Sequence, residues 1–492
     1  MDNQTSNRLT INSYYLILDQ LVNYGLGFFF WLVLAKLLTP TVLGQVMAVT
    51  ALAIAVLGFT GYGTQTMISK HIAQYNIKKL HIASKMVFYN GLKIGIVVSL
   101  GAAIVISLFS NQIATSIFKD SSLASLIVLT MLVLLPSQTI LLCFSGAFQG
   151  SQMMKYTTIG DFVFQIARMS IAVILVTVGF GNLGIVAGFA FGSVIAVLYA
   201  YLIFVKKNLF NFAISSLNPS SLLQLAKFSG LNYLAIGLPT LGVQMSYLLL
   251  GAQSFDSVAL FGISSLISGV VGGIIIAVGR AILPTTSEAF ESGNKLHFDR
   301  AVNSAFRLSL MVSGFIYIVL TLSPETVLSL LSKEYVSASA VLRILVLYGV
   351  ITSMAAFIGS ILNGLGKPQQ FATMSITSSV IAIVLGIALV PFFGMLGASL
   401  SLLIGSIFNI ILAAYFIKKE QFVSISLTSI LKPIISVSTA IMVGYIALTV
   451  VGSITVTLLL AFVAYLILII TCKVTTKSEL KRLLQTVTKI TH

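Results

Sequence analysis

FGNLGIVAGFAFGSVIAVLYAYLIFVKK (180–207) carries the plan of the chain in one stretch. A glycine-rich turn opens it, an unbroken apolar run follows, and two lysines close it. About 20 apolar residues is the length a helix needs to cross a bilayer. A helix is the natural solution there, because it satisfies its own backbone groups within one segment. The same pattern recurs along the whole chain. The expected spans lie near 11–37, 42–68, 86–109, 122–148, 156–179, 184–204, 225–250, 258–283, 304–322, 338–362, 371–391, 396–417, 430–450 and 453–472. The chain reads as an all-α integral membrane protein of about fourteen transmembrane helices, with short loops and no soluble domain.

Composition agrees. Of 492 residues, 58% are hydrophobic and only 8% charged, and the mean hydropathy is +1.05. Soluble proteins carry about 25% charged residues. The net charge of +16 is no sign of nucleic acid, because the basic residues sit at helix ends, where anionic lipid heads attract them. Cys143 and Cys472 fall in or beside expected helices near one membrane face, so no disulfide is expected. The polar start followed by a long apolar run reads as a retained first helix, not a signal peptide.

Alternate loops differ in charge. One set, with the N-terminal segment, holds Arg8, Lys70, Lys78, Lys79, Lys85, Lys155, Lys206, Lys207, Lys227, Lys295, Arg300, Lys367, Lys418, Lys419 and Lys432, and the tail adds Lys473, Lys477, Lys481, Arg482 and Lys489. The other set holds only Lys36, Lys119 and Lys333. The positive-inside rule then puts both termini in the cytoplasm of a cell-membrane protein. Two cytoplasmic termini need an even number of crossings. The tail 473–492 spaces Leu480, Leu483, Leu484 and Val487 as a basic amphipathic helix lying on the inner leaflet. The outer stretch SPETVLSLLSKEYVS (323–337) is expected to form a small surface helix.

The opening turn returns later. FGNLGIVAGFAFG (180–192) matches FGMLGASLSLLIG (393–405) as F-G-x-L-G followed by a glycine eight residues on. Upstream of each lies another turn, FQGSQMMKY (148–156) and LGKPQQFAT (365–373). A second echo pairs LAKLLTPTVLGQV (34–46) with LGAQSFDSVALFGI (250–263). Glycine patterns also recur by chance at helix contacts, but these share an offset near 213–219 residues. Six helices per copy give both copies the same orientation, related by an axis along the membrane normal. The expected organisation is two six-helix lobes, 1–215 and 216–420, then two extra helices at 421–472 and the tail 473–492.

LAKLLTPTVLGQV (34–46), EYVSASAVLRILVLYGV (334–350), SILNGLGKPQQ (360–370) and the two F-G-x-L-G turns resemble the polysaccharide-transporter branch of the multidrug/oligosaccharidyl-lipid/polysaccharide (MOP) superfamily. The likeness covers nearly the whole chain, and its motifs are structural. It implies two lobes around a central cavity and alternating access that moves a lipid-linked sugar across the membrane.

No enzyme signature is present. His71, His81, His297 and His492 show no metal-ligand spacing, and no phosphate-cradling G-x-x-x-x-G-K-[ST] occurs. The strongest local signal is charge inside the membrane, which is costly and tends to mark a cavity or a partner. Asp19 lies in the first span with Gln20 and Asn23. Asp161 lies in the fifth, with Gln165 and Arg168 one and two turns along the same face. This group reads either as a cavity site for a cation or a polar headgroup, or as an internal ion pair between Arg168 and one of the aspartates. Arg280, at the inner end of the eighth span, is a candidate contact for an entering pyrophosphate. Lys93 and Arg307 read as snorkelling side chains, and Arg343 as an anchor for the outer end of the tenth span. Gly58, Gly61 and Gly63 cluster in the second span, and Pro239 in the seventh is a candidate hinge.

The expected function is a flippase for an oligosaccharide linked to an isoprenoid phosphate or pyrophosphate. Its partners are that substrate, membrane lipids and glycan-assembly proteins, without nucleic acid. It needs no cofactor; a coupling ion, H⁺ or Na⁺, is compatible. The alternative is a multidrug or organic-cation antiporter driven by H⁺ or Na⁺. Counting Asp19 and Asp161 against Arg168 in the first lobe, and Arg280 with Arg343 in the second, the charge leans toward an anion. A glycosyltransferase or polymerase would need a large outer loop for its carboxylates, and the outer loops here are short.

Overall fold

A computed structural model describes residues 3–207, 236–291, 295–420 and 424–471. The expected amphipathic tail, Cys472 and Lys227 lie outside the described residues, and the expected lobe boundaries fall in or at the edge of undescribed segments. The described chain is helical, running through α1 (Asn3–Leu37), α2 (Pro40–Thr60), α3 (Tyr62–Ile77), α4 (His81–Leu108), α5 (Leu123–Gly150), α6 (Met154–Leu175) and α7 (Gly181–Lys206). It continues with α8 (Ile236–Gly251), α9 (Phe255–Glu291), α10 (Lys295–Leu322), α11 (Ser339–Gly364), α12 (Pro368–Lys419), α13 (Leu427–Val451) and α14 (Ile454–Thr471).

Eleven stretches are long and apolar enough to cross a membrane, α2 and α3 counting as one. Two of them, Met154–Lys206 and Pro368–Lys419, reverse direction within their length. Counting both twice and adding the shorter α8 brings the crossings to fourteen, as the sequence led us to expect. The span expected at 42–68 is two helices, because Gly61 (φ −104°, ψ −55°) breaks the run between α2 and α3.

The reversals come from the repeated turn. Gly181 has φ 50° and ψ −126°, and Gly394 has φ 52° and ψ −128°. Only glycine visits that region readily. The second glycine of each motif then lies against the helix just left. A Cβ on Gly184 would meet Leu175 at 3.0 Å, and one on Gly397 would overlap the Leu389 carbonyl. The upstream turns match as well. Ser151, Gln152 and Met153 donate to the carbonyls of Ala147, Gln149 and Phe148; Leu365, Gly366 and Lys367 donate to those of Ile361, Asn363 and Leu362. Both are the same helix-ending cap, 214 residues apart. Chance recurrence of glycines would not reproduce dihedrals and hydrogen-bond register together.

Contacts divide the chain into two compact units, Met1–Leu266 with Gln369–Asn409, and Ile267–Pro368 with Ile410–His492. In the first, α1, α6 and α7 pack around the buried polar group described below. In the second, Ile318, Leu322, Ala440, Ala461, Tyr465 and Ile469 knit α10, α13 and α14, and the Tyr465 hydroxyl donates to the Met311 carbonyl at 2.7 Å. The stretch after α10 forms the expected short helix, Pro324–Ser329, and then a 3₁₀ turn, Lys333–Ala338. Arg343 ties it down, at 2.9 Å from Glu325 and 3.2 Å from the Thr321 carbonyl.

Candidate functional site

The intramembrane polar residues come together where α1 meets α6. Spacing puts Asp161, Gln165 and Arg168 on one face of α6. The Thr158 hydroxyl donates to the Tyr15 carbonyl at 3.0 Å and pins the start of α6 to α1. Asn23 of α1 thereby reaches between the polar residues of α6. Arg168 Nη2 donates to Gln165 Oε1 at 2.5 Å, Gln165 Nε2 to Asn23 Oδ1 at 3.1 Å, and Asn23 Nδ2 to Asp161 Oδ2 at 3.1 Å. Every bond in this relay points from the cation toward the carboxylate. Asp19, one turn before Asn23, lies in hydrogen-bonding reach of Asp161.

Arg168 and Asp161, one of the ion pairs considered above, are linked through this relay. Arg168 and Asp161 are seven residues apart, about 10 Å along the helix axis. At an effective dielectric constant near 20, that separation leaves about 2 kcal/mol of attraction, against about 4 at contact distance. Aromatic rings take up the rest of the guanidinium. Its central carbon lies 4.1 Å from the Phe30 ring centre, 4.6 Å from Phe189 and 5.2 Å from Phe164. Arg168 is only 6% exposed. α7 can approach because Gly188 and Gly192 lie against the Arg168 backbone, where a Cβ would come within 2.8 and 2.9 Å.

Sequence reasoning brought out Asp19, Asn23, Asp161, Gln165 and Arg168, and the structure gathers all five. It did not bring out the three phenylalanines or Tyr62, which lies in the electrostatic reach of Asp161 from the start of α3. Phe164, one turn before Arg168, was the available signal. Arg280 lies on α9, and its side chain is outside the described set. Arg343, counted above toward a positively charged second lobe, is matched by Glu325 and leaves that tally. Pro239 lies in α8 beside a tight crossing: a Cβ on Gly58 would come within 3.0 Å of Thr240 and 3.2 Å of Gly237. The second and seventh spans meet there.

Polar groups buried on helices that cross the membrane can hold an ion or a polar group within the bilayer. Residues 9–290 match the model of the polysaccharide biosynthesis protein family, and residues 238–388 match the MatE family. The chain belongs to the polysaccharide biosynthesis family, within the MOP superfamily. It is 27% identical over 150 residues to a probable low-salt glycan biosynthesis flippase, Agl15, of Haloferax volcanii, covering 30% of this chain and 31% of that one. It is 26% identical over 144 residues to an uncharacterized membrane protein of Methanocaldococcus jannaschii, covering 29% and 28%. The matched segments thus span under a third of these relatives. Among solved structures, the fold is similar to the lipid II flippase MurJ in an inward closed conformation, with TM-score 0.73, 14% identity and coverage of 93% and 97%. It is also similar to a MATE-family multidrug resistance transporter of the MOP superfamily in an inward-facing conformation, with TM-score 0.68, 17% identity and coverage of 80% and 93%.

Proposed function

We propose that this protein is a flippase that carries an oligosaccharide on an isoprenoid phosphate or pyrophosphate from the cytoplasmic to the outer leaflet of the cell membrane. The match to the polysaccharide biosynthesis family over residues 9–290 carries this reading. The likeness to a glycan biosynthesis flippase over part of the chain supports it. The basic loops support a cytoplasmic position for both termini. No bond is made or broken. The sugar head crosses through a polar interior while the lipid tail stays in the bilayer, and glycan-assembly proteins supply and consume the substrate. The relay on α1 and α6 is assigned to coupling. Like charges as close as Asp19 and Asp161 repel unless a cation lies between them, which makes the pair a site for H⁺ or Na⁺. Arg280 is assigned to the entering phosphate and Pro239 to bending.

The second reading, an H⁺- or Na⁺-driven exporter of organic cations, is favoured by that acidic pair and by the MatE match. Purified protein in sealed vesicles separates the two. A fluorescent isoprenoid-pyrophosphate oligosaccharide should become accessible to an added lectin faster than in protein-free vesicles. Asp19→Asn should slow this by about tenfold while the protein remains folded. No flipping, together with uptake of an organic cation down an imposed pH or Na⁺ gradient, would replace the flippase by the antiporter.

A further inference from the structure

The exposed face of α4 carries a charge with no counter-charge in the protein around it. Lys93 lies well inside the helix, beyond Lys85 and Tyr89, and is exposed. α4 packs against α2, α3 and α5. None of these helices, nor α7, contains an Asp or Glu. A charge within a span is costly and pairs where it can. The counter-charge for Lys93 therefore has to come from outside the chain.

Polar groups converge beside it. Lys85, Tyr89 and Lys93 follow one another at four-residue spacing and share one face of α4. Phe88 packs on Phe204 of α7 with ring centres 4.6 Å apart, and Phe144 of α5 closes on both at 5.4 and 5.3 Å. Next to this contact, Tyr89 and Tyr201 lie in electrostatic reach of each other. Helical rise puts Tyr201 about 4.5 Å and Lys93 about 7.5 Å deeper along the helices than the Phe88–Phe204 pair. Lys85 lies about 4.5 Å on the other side of it. Two ammonium groups on flexible four-carbon stems thus bracket two tyrosines. The flanking residues are apolar and exposed, Val97 by 70% and Leu198 by 55%.

We propose that Lys85, Tyr89 and Lys93 of α4, with Tyr201 of α7, hold the phosphate of an anionic phospholipid. The lysines and the tyrosine hydroxyls supply charge-assisted hydrogen bonds to it. The lipid chains lie along the apolar flank at Val97 and Leu198. The phosphate offsets the charge of Lys93, and the bound lipid ties the adjoining ends of α4 and α7 together. These are the ends that the basic loops assign to the cytoplasmic leaflet, where anionic lipids meet lysines. The site faces lipid, so it does not depend on the flippase reading, and its test uses no oligosaccharide.

The test is thermal unfolding of the purified chain in detergent micelles titrated with dioleoylphosphatidylglycerol. Dioleoylphosphatidylcholine and inorganic phosphate form separate arms. The phosphatidylglycerol is expected to raise the melting temperature to a plateau, and the other two are not. Lys93→Met is expected to raise the half-saturating concentration about fivefold, the worth of one lysine at an anionic surface. Lys85→Met with Lys93→Met should raise it about twentyfold. Tyr201→Phe should raise it several-fold and decides the matter if the lysine variants do not fold. Lys418→Met with Lys419→Met, at the basic end of α12, should leave it unchanged. An unchanged titration in folded Lys93 and Tyr201 variants overturns the site, as does an equal loss in the Lys418 and Lys419 variant. Equal stabilisation by phosphatidylcholine or by inorganic phosphate overturns the anionic lipid as its occupant.

Discussion

Asp161 and Arg168 share one face of α6 and are joined through Gln165 and Asn23, in three bonds that all run from the guanidinium toward the carboxylate. The cation is thereby held by amides and aromatic rings and not by its nearest opposite charge. Loss of a buried partner costs most when it strands a charged group.

Arg168→Gln should therefore lower stability by about 2–3 kcal/mol, the sum of a charge-assisted hydrogen bond and ring contacts. Adding Asp161→Asn should restore little of it, because the two charges are not in contact. Thermal unfolding of the purified single and double variants checks this. Near-complete restoration in the double variant would reinstate a direct ion pair.

Gly181→Ala and Gly394→Ala should each destabilise by about 1–3 kcal/mol, and by similar amounts, because both glycines hold the same strained dihedrals. Parallel melting curves decide. A neutral Gly394→Ala would mean that the second reversal does not depend on its glycine.

The loop before α13 is held by α10. Asp299 accepts from the Ser424 amide at 2.9 Å, and Asn303 pairs with the Ser424 carbonyl and the Ser426 amide at 2.8 and 2.7 Å. Asp299→Ala should speed hydrogen exchange at the Ser424 amide by about tenfold without altering exchange in α14. Equal exchange in both proteins would show that the Asn303 contacts suffice.

The membrane orientation is open to direct measurement. Cysteines introduced near 111 and 325 should react with an impermeant thiol reagent added to intact cells, and cysteines near 78 and 420 should not. Reaction from outside near 78 would reverse the proposed topology.

Much of the fold was legible because its signals are local. Apolar length marks a span, and F-G-x-L-G marks a reversal that glycine alone makes easily. The break at Gly61 was less visible, since the apolar pattern runs on past it. The five polar residues of the cluster stood out because charged and amide side chains are rare within a span. Their hydrogen bonds did not, since Asn23 and Gln165 are 142 residues apart.

Which segments are helical, where they turn and which residues are too polar to face lipid follow from local sequence. Which apolar faces meet follows from packing between distant helices. Phe189 and Phe191 are two residues apart on α7, and nothing in their chemistry separates them. One closes on Arg168 and is 8% exposed; the other is 57% exposed. Lipid tails are as apolar as the side chains they touch, so hydrophobicity does not distinguish a lipid-facing surface from a packed one. That choice is made by close packing at small residues such as Gly188, Gly192 and Gly44, which depends on a partner helix distant in the chain.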